Sequence, residues 1–138
     1  MKIGSIVLSF FVALACIPAS AQTIKKGPVT ATSPVSGEEM FQQYCAVCHG
    51  KDGKGDGPAA AALKKAPANL TTLSSKNGGK FPDLKVANVI HGDPDTAAHG
   101  SREMPIWGTL FSSLNTNSAG TVQLRISNLT SYIKSIQQ

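Results

Sequence analysis

The chain has 138 residues, 41% of them hydrophobic and 15% charged, with a formal net charge of +5. That length holds one domain, and less once a leader is removed. A positive balance suits acidic partners, but no nucleic-acid-binding motif accompanies it, which argues against nucleic acid.

Met1-Lys2, followed by the apolar run at residues 3–15, has the layout of a secretory signal. The run is shorter than the roughly 20 residues a membrane span needs. Ala19-Ser20-Ala21 supplies small residues for cleavage before Gln22, so residues 1–21 read as a signal peptide and the mature protein as periplasmic. A rival reading makes Cys16 a lipidated anchor to the membrane, although Ala13 stands where a lipobox wants a large aliphatic residue. Residues 22–35 are rich in Thr, Pro, Ser and Lys without apolar period and read as a flexible linker. Residues 36–138 form the expected domain.

Ser36 is placed to cap a helix that begins at Gly37, with Glu38 and Glu39 in the turn that the helix dipole favours. Gly37, Phe41 and Cys45 recur every four residues along it, close to one face. The helix runs into Cys45-Ala46-Val47-Cys48-His49, the signature of c-type haem attachment. Two sulfurs that add to the two vinyl groups of one haem must stand about a helical turn apart. The histidine behind them can then offer its imidazole to the iron. A redox Cys-x-x-Cys needs no following histidine and expects a βαβ context. A zinc site needs four ligands, and only His91 and His99 remain downstream. Loss of the leader removes Cys16, so the haem accounts for both remaining cysteines and no disulfide is expected.

Residues 50–57 are glycine-rich but match neither a phosphate loop nor an EF-hand, and are expected to wrap past the haem edge. Pro58 opens a predicted short helix through the alanine run to Lys65. Residues 67–70 read as an extended turn and residues 74–81 as loop. Asp83 is the predicted cap of a helix through Leu84, Ala87 and Ile90, closed by Gly92. Residues 91–103 are irregular, and a short apolar helix is expected over residues 109–114. The last helix, residues 121–136, carries a stripe of Val122, Ile126, Leu129, Ile133 and Ile136. No alternating run is long enough for a sheet. The predicted fold is all-α, with four to five short helices around one covalently bound haem.

The second axial position decides what such an iron does. Met40 lies five residues before Cys45 and cannot reach the far face of the same haem. Met104, in a loop stiffened by Pro105, is the expected ligand, with His91 and His99 as competitors. His/Met ligation gives a higher reduction potential than bis-histidine.

With these residues placed, residues 36–138 resemble the class I monohaem c-type cytochromes of bacterial periplasms. Cys45-Ala46-Val47-Cys48-His49 matches the haem motif, and Met104-Pro105-Ile106-Trp107-Gly108 is similar to the Met-Pro ligand loop. Gly37 and Phe41 look like the family's glycine/aromatic pair, crossed by Leu129 and Tyr132 of the last helix. The resemblance implies a cytochrome c-like fold and a proline carbonyl that accepts the histidine's ring N–H. Pro67 is the best match for it and Pro58 the alternative. Leu70 would pack on the porphyrin, and Trp107 would donate to a propionate.

The implied function is one-electron transfer without enzymatic activity. The implied partners are a donor dehydrogenase or quinol-oxidising complex and an acceptor oxidase or reductase, met transiently and steered by the lysines of residues 51–85. Two other readings stay open at this point. One is a haem enzyme or gas-binding protein with an open or labile sixth site, and the other a fixed subunit of a dehydrogenase or oxidase.

Overall fold

The computed structural model describes residues 30–92, 104–114 and 119–138. Among these residues every regular element is helical, as the absence of alternating runs requires. The chain opens with α1 (Gly37–Met40), a π-helical stretch at Phe41–Cys45, and α2 (Ala46–His49). After a long connection with three 3₁₀ turns come α3 (Asp83–His91), α4 (Trp107–Leu114) and α5 (Ala119–Ser135). The longest helix, α5, packs against α1, α3 and α4 and so forms the spine of the fold.

The start of α1 follows local chemistry. Ser36 Oγ accepts the Glu39 N–H at 3.1 Å, satisfying one of the donors a helix start leaves open. The helix then widens where one regular helix was expected. The Ala46 N–H reaches the Phe41 carbonyl, five residues back. The extra residue in that turn lets Phe41, Tyr44 and Cys45 all face inward while Gln42 and Gln43 stay exposed. Such π turns concentrate at functional sites.

The crossing of α1 with α5 explains Gly37. A Cβ there would strike the Asn128 carbonyl and come within 2.9 Å of Tyr132 Cβ, so only glycine lets the two backbones approach. Beside it the rings of Phe41 and Tyr132 meet at 5.2 Å. Ile126, Leu129 and Ile133 of the predicted stripe are buried on α5 and join Phe41, Tyr44, Ile90, Trp107 and Phe111 in one core. Burial of each such large side chain contributes about 1.5–3 kcal/mol.

Three expectations are corrected. The helix after Pro58 is only a 3₁₀ turn at Ala60–Ala62, because the Ala59 N–H is drawn to the Val47 carbonyl at 2.9 Å and so pins that stretch to α2. Asp83 does not cap α3; its carboxylate instead meets Lys134 Nζ of α5 at 2.8 Å, and Pro82 holds the cap position without a side-chain bond. Residues 30–35, expected as the end of a linker, lie on the domain. Tyr44 Oη donates to the Thr30 carbonyl (2.7 Å) and accepts from the Thr32 N–H (3.1 Å). Asn128 Nδ2 donates to the Pro34 carbonyl at 2.9 Å.

No helix among the described residues is long and apolar enough to cross a membrane. The proposed leader, residues 1–21, lies outside the described residues, as does most of the irregular segment before Met104.

Candidate functional site

The glycine-rich loop of residues 50–57 acts on α2 itself rather than on a ligand edge. The Gly55 N–H donates to the His49 carbonyl at 2.7 Å and the Gly57 N–H to the Cys48 carbonyl at 3.1 Å. With Ala59 on Val47, these bonds satisfy carbonyls that the end of a short helix leaves open. Gly57 must be glycine, since a Cβ there would lie 2.6 Å from the Ala46 and Val47 carbonyl oxygens. The loop therefore clamps the backbone of the Cys-x-x-Cys-His segment, and its glycines are the means of close approach.

His49 is buried, and its Nδ1–H donates to the Ala68 carbonyl at 3.0 Å. A carbonyl can only accept, so this bond fixes the proton on Nδ1 and leaves Nε2 with its lone pair free. Burial lowers the His49 pKa, partly opposed by the Ala68 bond, so the neutral imidazole is the resting form. Pro67 is corrected as the acceptor. Its carbonyl faces Gly55, where a Cβ would come within 2.5 Å of it, and the imidazole takes the next carbonyl along the chain. Asn69 holds that stretch in shape, with Oδ1 accepting from the Thr71 N–H (2.9 Å) and Oγ1 (2.8 Å). Gln137, near the C-terminus, ties the same loop down through the Leu70 carbonyl (2.7 Å) and the Ser74 N–H (2.9 Å).

Cys45, Cys48 and His49 open onto a cavity of about 430 Å³. Its walls are mostly apolar, with Leu63, Leu70, Leu73, Val86, Val89, Ile90 and Ile133 among them. Pro67, Met104, Pro105 and Trp107 line it as well, so every expected site residue falls on one surface. Trp107 is buried against Tyr44 (5.4 Å) and Phe111 (5.8 Å). Met40 is fully buried in the core and lies outside the cavity wall, as its place on the first helix requires. His91 is exposed at the end of α3 and does not line the cavity, whereas His99 lies outside the described residues.

The two thiols do not resemble a redox pair. Burial, with Cys48 adding to it, pushes the Cys45 thiol up to about 12, and burial also raises Cys48. A thioredoxin-like pair activates one thiol by lowering its pKa; here both are held protonated. Among the described residues no group of three or more His, Cys, Asp or Glu side chains is arranged to hold a metal ion, so a zinc site has no ligand set there.

The chemistry of this surface suits a large apolar group that carries a metal. The cavity lies in the size range of cofactor sites. It brings two thiols, an imidazole nitrogen with a free lone pair and a thioether to one apolar chamber. An all-helical shell around a chamber of that chemistry defines a c-type cytochrome. The model of the family described as cytochrome c oxidase, cbb3-type, subunit III matches residues 32–115, and the chain belongs to that family. Its cofactor is therefore covalently bound haem c and its function haem-based electron transfer. No curated protein and no solved structure gave a match.

Tyr44, Ala68 and Asn69 were not singled out from the sequence. Asn69, in Pro67-Ala68-Asn69-Leu70-Thr71, carried a usable signal, because asparagine two residues before a turn donor favours this local bond. A backbone carbonyl such as that of Ala68 leaves no trace in residue type.

Proposed function

We propose that the chain is a one-electron carrier with a single haem c, attached through Cys45 and Cys48 and ligated by His49 and Met104. The observation that carries this reading is the meeting of His49 and Met104, far apart in sequence, on the wall of one apolar cavity that also receives both thiols. When bound, the haem supplies reversible one-electron exchange between ferrous and ferric iron. The protein's own residues do the rest. The Ala68 carbonyl orients His49 and makes Nε2 a stronger donor, in the manner of partners that fix metal-bound imidazoles. Leu70, Ile90 and Ile133 keep water from the chamber. Pro105 stiffens the backbone beside Met104. Trp107 brings an indole N–H suited to a propionate oxygen.

His49 and Met104 would both hold the iron, which would leave no site for a substrate, so this reading gives the protein no enzymatic role. Lys65, Lys76 and Lys85 stand exposed at the rim of the cavity, a charge pattern that supports transient docking of acidic redox proteins. The donors would be a dehydrogenase or a quinol-oxidising complex, and the acceptors an oxidase or reductase. In this reading residues 1–21 direct export and are removed, and the protein works in the periplasm. Lipidation of Cys16 would tether the same domain to the membrane.

The description of the matched family favours a second reading, in which the domain is a fixed cytochrome subunit of an oxidase rather than a free carrier. Purification of the tagged protein from its membranes separates the two. Stable, stoichiometric recovery with a large redox complex supports the subunit; a lone protein in the soluble fraction supports the carrier.

The test of the haem reading is optical. The matured protein should give a c-type reduced spectrum, a ferric sulfur-to-iron band and no response to carbon monoxide. A high-spin spectrum or rapid carbon monoxide binding would overturn the closed carrier in favour of an open-site enzyme or gas-binding protein.

A further inference from the structure

Among the described residues, one buried cation has no acid to offset it. Arg125, on the long helix α5, is 2% exposed. Its Nη1 donates to Thr32 Oγ1 at 3.0 Å and its Nη2 to the Thr32 carbonyl at 2.7 Å. The Nε–H has no partner. No carboxylate among the described residues lies within ion-pair distance, since the ion pair found there is the exposed Lys134–Asp83 contact. Both partners of the guanidinium are therefore neutral. A buried charge without a counter-charge is among the least favourable arrangements in a protein interior, and an apolar side chain of similar volume is often the more stable occupant. Holding residues 30–35 in place does not by itself require a cation.

The position of this charge suggests what it does. The guanidinium carbon lies 5.8 Å from the centre of the Phe111 ring. Phe111 in turn contacts Tyr44 at 5.7 Å and Trp107 at 5.8 Å, and both of those line the cavity. Arg125 thus sits directly behind the aromatic wall, with buried rings rather than water between it and the chamber. Thr32, which bears on Arg125, also donates through Oγ1 to Tyr44 Oη at 3.0 Å, so the cation is fixed to the wall on two sides. Arg125 lies beyond the stretch that the family model matches, residues 32–115.

We propose that Arg125 is a fixed, buried charge that raises the reduction potential of the haem in this cavity. The proposal rests on the reading of the cavity as the haem site. Taking up one electron lowers the charge of the iron centre by one, and a nearby cation stabilises the state with less positive charge. Charges interact more strongly through a buried, low-dielectric medium than through water, and salt screens them less. The rim lysines act in the same direction, but they are exposed and their effect fades as salt rises.

The experiment is a spectroelectrochemical titration of the full-length, haem-loaded protein and three variants, with melting temperature measured alongside. Arg125→Met removes the charge and keeps most of the bulk. Thr32→Asp puts a carboxylate where Oγ1 now meets Nη1, offsetting the charge at the loss of the Oγ1 donation to Tyr44 Oη. Thr32→Val breaks the Oγ1 contact but leaves the cation. At fixed poise the reduced-to-oxidised ratio should fall about tenfold in Arg125→Met, which is about 59 mV for one electron. Thr32→Asp should shift the same way and melt no lower than Thr32→Val, which loses the same bond to Tyr44, and the wild-type offset should persist in high salt. Thr32→Val should melt lower at a potential close to wild type.

Wild-type potentials in both Arg125→Met and Thr32→Asp would overturn the proposal and leave Arg125 a clamp for residues 30–35. A shift in Thr32→Val as large as that in Arg125→Met would also overturn it, since structure rather than charge would be responsible. Should Arg125→Met fail to mature, Thr32→Asp decides alone, and an unchanged potential counts against the proposal. Absence of covalent haem in the wild type, read from its alkaline pyridine spectrum, would instead overturn the reading of the cavity.

Discussion

The imidazole of His49 and the backbone carbonyl of Ala68 are joined at 3.0 Å, and this bond leaves the histidine only one nitrogen with which to act. The carbonyl is held in turn by Asn69, whose side chain folds back on Thr71, and by the Gln137 bond to Leu70. Removing the Asn69 side chain loosens the stretch that orients His49. Asn69→Ala should lose about 1 kcal/mol of stability by urea denaturation. An unchanged midpoint would mean that the Gln137 bonds and the backbone bond from Leu70 N–H to the Gly53 carbonyl suffice to hold the loop.

Met104 is the assignment whose test is least ambiguous. Met104→Ala should abolish the ferric sulfur-to-iron band and open the reduced protein to carbon monoxide while leaving the covalent haem in place. A wild type that lacks the band would transfer ligation elsewhere, with His99 as the first residue to replace.

Gly37→Ala tests the helix crossing. The new methyl meets the Asn128 carbonyl and Tyr132, and overpacking of this kind costs about 1–3 kcal/mol. In a domain of this size each kcal/mol lowers Tm by about 4–8 °C, so thermal unfolding reads the effect directly.

Phe111 is fully buried between Tyr44, Trp107 and the Arg125 guanidinium. Phe111→Ala should destabilise by about 3–5 kcal/mol in chemical denaturation. A much smaller loss would show that the wall collapses to fill the space.

The Asp83–Lys134 pair is exposed on both sides and should matter little. The hydrogen bond from Lys134 lowers the Asp83 pKa from its ordinary 3.8. Its contribution is therefore present above that value and is lost as pH falls through the lower, folded one. Lys134→Met should melt close to wild type at neutral pH in moderate salt, and any difference should vanish in strong acid. A difference that persists in strong acid would point to the contact of Lys134 with the Phe81 ring instead.

Much of the site was legible in the chain because its chemistry depends on residue type at short spacing. Cys45, Cys48 and His49 announce themselves together, and the resemblance carried by Gly37, Phe41, Leu129 and Tyr132 implies a helix crossing that the structure contains. The glycine-rich loop was legible as a close approach but not as a clamp on α2, because its partners are backbone carbonyls. Arg125 was hidden for the opposite reason. Helical periodicity assigns a charged residue to solvent, and only the packing of residues 30–35 over α5 encloses it.

By itself, then, the sequence determined the all-helical class, the Cys-x-x-Cys-His signature and the residues proposed to meet an iron, since these follow from side-chain chemistry and local period. The tertiary structure decided that Ala68 rather than Pro67 orients His49, that Asp83 pairs with Lys134 instead of capping its helix, and that Arg125 is buried. Each of these depends on which backbone or side chain arrives from a distant part of the chain, and that is fixed only when the helices pack.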